Sequence, residues 1–160
     1  MKNIAVTGSS GFVGKYLCES LSKKYTIIKI GNRKKIQYLK NIKKFNILIH
    51  LAFKKKINNK NDNLHNILIT KKLLDYCIKY KSSMIFISTF NTDPYTSNFF
   101  YNSKYILSKK HCEDLCKLYA NKYGLNIIIL RTFNIYDNNL TQQNLFKKII
   151  NNHKNKKITY

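Results

Sequence analysis

A chain of 160 residues, 44% of them hydrophobic, has room for one domain with a real core; it is too short for two and too apolar to be globally disordered. It has no apolar run near the ~20 residues of a bilayer span, its Ile4-Ala5-Val6 start is too short for a secretory signal, and Cys18, Cys77, Cys112 and Cys116 lack C-x-x-C spacing, which excludes a disulfide framework or zinc site and favours the reducing cytoplasm. The net charge of +23 attracts anions, but 28 of the 30 basic residues are lysine, so the arginine fork that reads nucleic acid is nearly absent and no specific nucleic-acid partner is expected.

Strand and helix patterns alternate along the chain. Residues 3–7 read as a short buried strand, ended by a glycine-rich turn from Gly8. A helix over 12–24 has Phe12, Val13, Leu17 and Leu21 on its apolar face, and 25–30 is strand-like up to Gly31-Asn32. Residues 46–52 form a further apolar strand, and 54–63 a polar surface loop. Residues 64–81 form a helix with Leu64, Ile67, Leu68, Leu74 and Ile78 on one broad face. Strands at 84–88 and 127–130, a long helix at 102–123 and a last helix at 141–153 complete the pattern. Fully apolar strands separated by helices predict a doubly wound α/β fold, with a parallel sheet covered on both faces and the first strand central.

The turn Thr7-Gly8-Ser9-Ser10-Gly11-Phe12-Val13-Gly14 has a mechanism in its spacing. Gly8 allows a tight turn, Gly11 lets backbone approach a pyrophosphate, and Gly14 lets the helix pack closely. The helix N-terminus then offers N–H groups and partial positive charge to phosphates. This T-G-x-x-G-[FY]-[VIL]-G run resembles the fingerprint of the extended short-chain dehydrogenase/reductases, the NAD(P)-dependent epimerase/dehydratase family. The resemblance continues in order through His50-Leu51-Ala52, the helix Asn66 to Leu74, Ser88-Thr89, Tyr105-Ile106-Leu107-Ser108-Lys109 with Glu113, and Leu130-Arg131-Thr132-Phe133-Asn134-Ile135-Tyr136.

The resemblance implies a Rossmann-like NAD(P)-binding domain over 1–137 and the start of a nucleotide-sugar-binding subdomain over 138–160, where the chain reads as truncated. It implies cofactor contacts from Gly8, Ser10, Gly11, Phe12, Val13, Leu51, Ala52, Asn66, Tyr105 and Lys109, and a catalytic set of Thr89, Tyr105 and Lys109. Tyr105 and Lys109 are four apart and share a helical face. A neighbouring ammonium is expected to lower the tyrosine's pKa from ~10 toward a working base. The family also implies a homodimer through helices 64–81 and 102–123, for which Leu115, Leu118 and Tyr119 offer an outward apolar stripe.

The chain departs from the family after its second strand, where Ile30-Gly31-Asn32-Arg33-Lys34-Lys35 has no carboxylate to bind a ribose diol. Cations stand there instead, so Asn32 and Arg33 favour NADP over NAD. The short stretch from Gly31 to Asn46 leaves a third family strand vestigial or absent. His50 reads as a packed core residue. His111 and Cys112 point apart on a helix, so no metal is expected. Two other functional classes stay open: a cofactor-binding protein without turnover, and a basic nucleic-acid-binding domain supported by charge alone.

Overall fold

The computed structural model describes residues 2–30, 44–54, 60–93, 103–133 and 135. Five strands form one parallel sheet: β1 (Asn3–Thr7), β2 (Thr26–Ile30), β3 (Ile47–His50), β4 (Ser83–Thr89) and β5 (Ile127–Thr132). The helices are α1 (Phe12–Ser22), α2 (Lys60–Tyr80) and α3 (Lys104–Tyr123), with a 3-10 turn at Phe90–Thr92 after β4. The strand order is β2-β1-β3-β4-β5. β1 is therefore an interior strand, as expected, and β3 is the middle one of the five described strands.

The chain winds from β1 to β2 in one direction, then returns past β1 to β3, β4 and β5 in the other. Because parallel crossovers keep one hand, this reversal puts α1 on one face and α2 and α3 on the opposite face. Ile4, Val6 and Ile49 pack with Cys18 of α1. Ala5, Leu48, Met84 and Phe86 pack with Leu73, Leu74 and Cys77 of α2 and Cys112 and Cys116 of α3. In β1, residues 4–7 are buried on both sides, which is why that strand reads as continuously apolar. β5 alternates instead: Ile127 and Ile129 join the core while Ile128 and Leu130 are exposed.

Three sequence expectations change here. Helix α2 begins at Lys60, inside the stretch read as loop; of its expected face Leu74 is buried and Ile67 and Ile78 pack against the core, joined by Asn66, Ile69, Thr70, Leu73 and Cys77. Leu64 and Leu68 are exposed instead, because at 100° per residue they lie on the side opposite Leu73. On α3, Tyr119 is buried with its hydroxyl donating to Asp75 at 2.7 Å, and Leu115 packs on the core. Of the expected outward stripe only Leu118 faces out. The expectations for residues 31–43, for the helix at 141–153 and for the boundary at 138 lie outside the described residues.

Candidate active site

The winding direction reverses between β1 and β3, and in such sheets the C-terminal ends of the strands beside the reversal are the usual ligand crevice. Gly8 leaves β1 with a φ of +72°, and its N–H donates to the Ile30 carbonyl at 2.8 Å. A Cβ on Gly8 would lie 2.9 Å from the Ala52 nitrogen, and one on Gly14 would lie 2.2 Å from the Gly8 carbonyl oxygen. Gly14 thus packs α1 against the turn itself. Ser10 and Gly11 are exposed, Phe12 and Val13 half-buried, at a helix start with no acidic residue in its first turn. That backbone cradle fits a dinucleotide pyrophosphate: bare backbone, N–H groups and no competing carboxylate.

A buried polar chain supports the floor. The Thr7 hydroxyl accepts the N–H groups of Leu51 and Ala52, each at 3.2 Å, and its proton points to His50 Nδ1 at 2.7 Å. Nδ1 is then the acceptor, so Nε2 carries the proton and donates to Thr70 Oγ1 at 3.3 Å; the Thr70 hydroxyl in turn donates to the Asn66 carbonyl at 2.9 Å. Burial, and next the Lys109 charge, lower the His50 pKa to about 3, so the ring stays neutral. His50 is a core residue, as expected, but one that orders the crevice backbone.

Asn66, an expected cofactor contact, is almost fully buried, and its amide hydrogen-bonds to neighbouring residues. Oδ1 accepts the Lys54 N–H at 3.0 Å, and Nδ2 donates to the Lys54 carbonyl at 3.2 Å and to Ser108 Oγ at 3.3 Å.

Thr89 ends β4, and Tyr105 lies in the first turn of α3, so both reach the C-terminal edge of the sheet. Lys109 is buried; its Nζ donates to the Ile87 carbonyl at 2.5 Å and stands 3.9 Å from the centre of the Phe53 ring and 4.8 Å from that of Phe86. The same Phe53 ring meets Tyr105 edge to face at 5.7 Å. Burial pushes the Tyr105 phenol above its ordinary value, the reverse of the lowering expected from Lys109. The reason is geometric: the ammonium turns into the core toward Ile87 and the aromatic rings.

Glu113 and Arg131, known from sequence only as motif positions, hold the end of β4. The Glu113 side chain is fully buried and accepts from Ser88 Oγ at 2.5 Å, Thr92 Oγ1 at 2.6 Å and Arg131 at 2.7 Å. Arg131 also pairs with Asp93 at 3.1 Å. Burial opposes its ionisation, yet the bonds from Arg131, Ser88 and Thr92 prevail and hold the carboxyl below its ordinary value. Phe53 and the Ile87 carbonyl are site components that sequence reasoning missed; an aromatic side chain directly after Ala52 was the available signal. Asn32 and Arg33 lie outside the described residues. Among the described residues, no three His, Cys, Asp or Glu side chains converge as a metal site would require.

Residues 4–160 match the family model described as the NAD dependent epimerase/dehydratase family. Among curated proteins, the chain is 27% identical to an uncharacterised UDP-glucose epimerase of Bacillus subtilis, over 94% of this chain and 62% of that protein. It is 28% identical to the CDP-abequose synthase of Salmonella typhimurium, over 83% of this chain and 53% of that protein. Similar solved folds include UDP-glucuronic acid 4-epimerase from Bacillus cereus in complex with NAD, with a TM-score of 0.70 and 22% identity over 97% of this chain and 64% of that one. The dTDP-4-dehydrorhamnose reductase from Yersinia enterocolitica gives a TM-score of 0.78 and 17% identity over 97% of this chain and 61% of that one. The chain thus spans 53% and 62% of the length of these two curated relatives.

Proposed function

The chain belongs to the NAD dependent epimerase/dehydratase family, and from that premise we propose that it binds a nicotinamide dinucleotide and serves epimerisation, dehydration or reduction of a nucleotide-sugar. The observation that carries this proposal is the convergence of the glycine turn, Thr89 and Tyr105 at one sheet edge, with Lys109 one helical turn beyond Tyr105. The N–H groups following Gly11 hold the pyrophosphate, and the Leu51–Ala52 backbone lines the crevice beside it. Bound nicotinamide supplies hydride transfer. Thr89 would orient the substrate hydroxyl, Tyr105 would exchange its proton at the phenolic oxygen, and Lys109 would hold the nicotinamide ribose.

The finer parts of the proposal are NADP ahead of NAD through Asn32 and Arg33, a homodimer through α2 and α3, and a cytoplasmic location. Among the described residues no helix is long and apolar enough to cross a membrane. The test is calorimetric titration of the chain with NAD, NADH and NADPH, followed by turnover assays with UDP-, CDP- and dTDP-sugars. Binding of a nicotinamide dinucleotide, with any turnover abolished by Tyr105→Phe, is the expected result. Binding without turnover favours the non-catalytic alternative, and absence of binding overturns the proposal.

A further inference from the structure

We infer that Phe53 is a positioning residue: its ring, pinned by clamps on either side, seats the Lys109 ammonium and braces Tyr105. The inference rests on the roles proposed above for that pair.

Phe53 lies in the irregular segment 51–54 after β3, where a backbone is ordinarily adaptable. Here it is tied on both sides of the ring. On one side the Thr7 hydroxyl accepts from Leu51 and Ala52, and Thr7 is itself fixed by His50. On the other, the Asn66 carboxamide engages both the N–H and the carbonyl of Lys54 and extends to Ser108, the residue before Lys109. Two independent elements, β1 and α2, therefore fix where the ring stands.

The ring then touches both members of the proposed pair, the ammonium at 3.9 Å and the Tyr105 ring at 5.7 Å. A buried ammonium is costly unless its charge is compensated, and Lys109 is only 4% exposed. The Ile87 carbonyl accepts a hydrogen bond from one of its three N–H groups. The negative aromatic face of Phe53 compensates the charge further, which an aliphatic side chain of similar volume cannot do. The chemistry thus specifies an aromatic residue at 53, beyond a requirement for apolar bulk.

The test compares Phe53→Leu, which keeps bulk without the aromatic face, with Phe53→Tyr, which keeps both. Reductive methylation of the full chain, read by mass spectrometry, reports Lys109 labelling relative to the exposed Lys117; circular dichroism verifies folding. Lys109 should label at least tenfold more slowly than Lys117 in the unsubstituted chain and in Phe53→Tyr, and approach the rate of Lys117 in Phe53→Leu. Should Phe53→Leu not fold, Phe53→Met serves the same comparison. Equal protection in the Leu or Met variant overturns the inference. NADH titration by fluorescence is the second readout, with roughly tenfold weaker binding expected in Phe53→Leu and recovery in Phe53→Tyr. If the unsubstituted chain binds no NADH, the proposed function fails while the labelling still decides the role of Phe53. If NADH binds all three forms equally, the positioning role is overturned and the proposed function stands.

Discussion

At the scale of single residues, the site depends on buried polar groups whose protonation is fixed by their neighbours. His50 is neutral in the fold, with a pKa near 3, but has an ordinary value of 6.5 when unfolded. Between those values the unfolded chain binds the proton and the folded chain does not, so folding stability falls as pH drops. The expected slope is about 1.4 kcal/mol per pH unit between pH 6 and 4, measured by urea unfolding, and His50→Gln should remove it. Glu113 has the opposite charge type. Its carboxyl sits below the ordinary 4.5, so its contribution is complete above that value and is lost as pH falls through the lower folded value. Glu113→Gln leaves Arg131 without its buried anion and should cost about 3 kcal/mol at pH 7 in the same unfolding experiment. At the cofactor, the cations after β2 lead to the expectation that NADPH binds about tenfold more tightly than NADH, equivalent to ~1.4 kcal/mol. Calorimetry on Arg33→Ala should show that margin shrink.

At the scale of elements, glycines differ in structural weight. Gly14→Ala forces a Cβ to 2.2 Å from the Gly8 carbonyl, a contact only backbone movement relieves, and should cost about 3 kcal/mol and weaken dinucleotide binding. Gly124 caps α3 in the left-handed region with open space around its Cβ position. Gly124→Ala should therefore cost only the ~1 kcal/mol of conformational strain and leave binding unchanged. Unfolding midpoints and calorimetric affinities of the two variants separate a cradle glycine from a cap glycine. The 3.6-residue period identified α2 and α3 as helices, but it did not identify the buried side of α2. Of the leucines read as core, Leu74 is buried but Leu64 and Leu68 face outward, and the polar Asn66 and Thr70 are buried beside it.

At the scale of the molecule, those outward leucines support the proposed association. Leu64 and Leu68 on α2 and Leu118 on α3 are exposed apolar side chains in a chain carrying +23. An isologous pairing of these helices predicts twice the chain mass by light scattering, rising with salt as lysine repulsion is screened. Leu68→Lys with Leu118→Lys should return the mass to one chain. A single-chain mass at all concentrations and salt levels would count against the dimer.

The sequence by itself determined the alternation of strands and helices, the parallel sheet and the glycine turn at the end of β1. Each of these follows from local periodicity or from backbone freedom at a fixed position, which neighbouring residues encode. It also carried the order of the motifs through Thr89, Tyr105, Lys109, Glu113 and Arg131. Only the tertiary structure decided that β3 is the middle strand, that Asn66 clamps Lys54, that Glu113 pairs with Arg131, and that Lys109 turns inward onto Phe53. These pairings join residues 12 to 56 positions apart, and Lys109 shows why no pattern could settle them. Its four-residue spacing from Tyr105 predicts proximity along one helix face, whereas the direction of its ammonium is set by a carbonyl on β4 and an aromatic ring after β3.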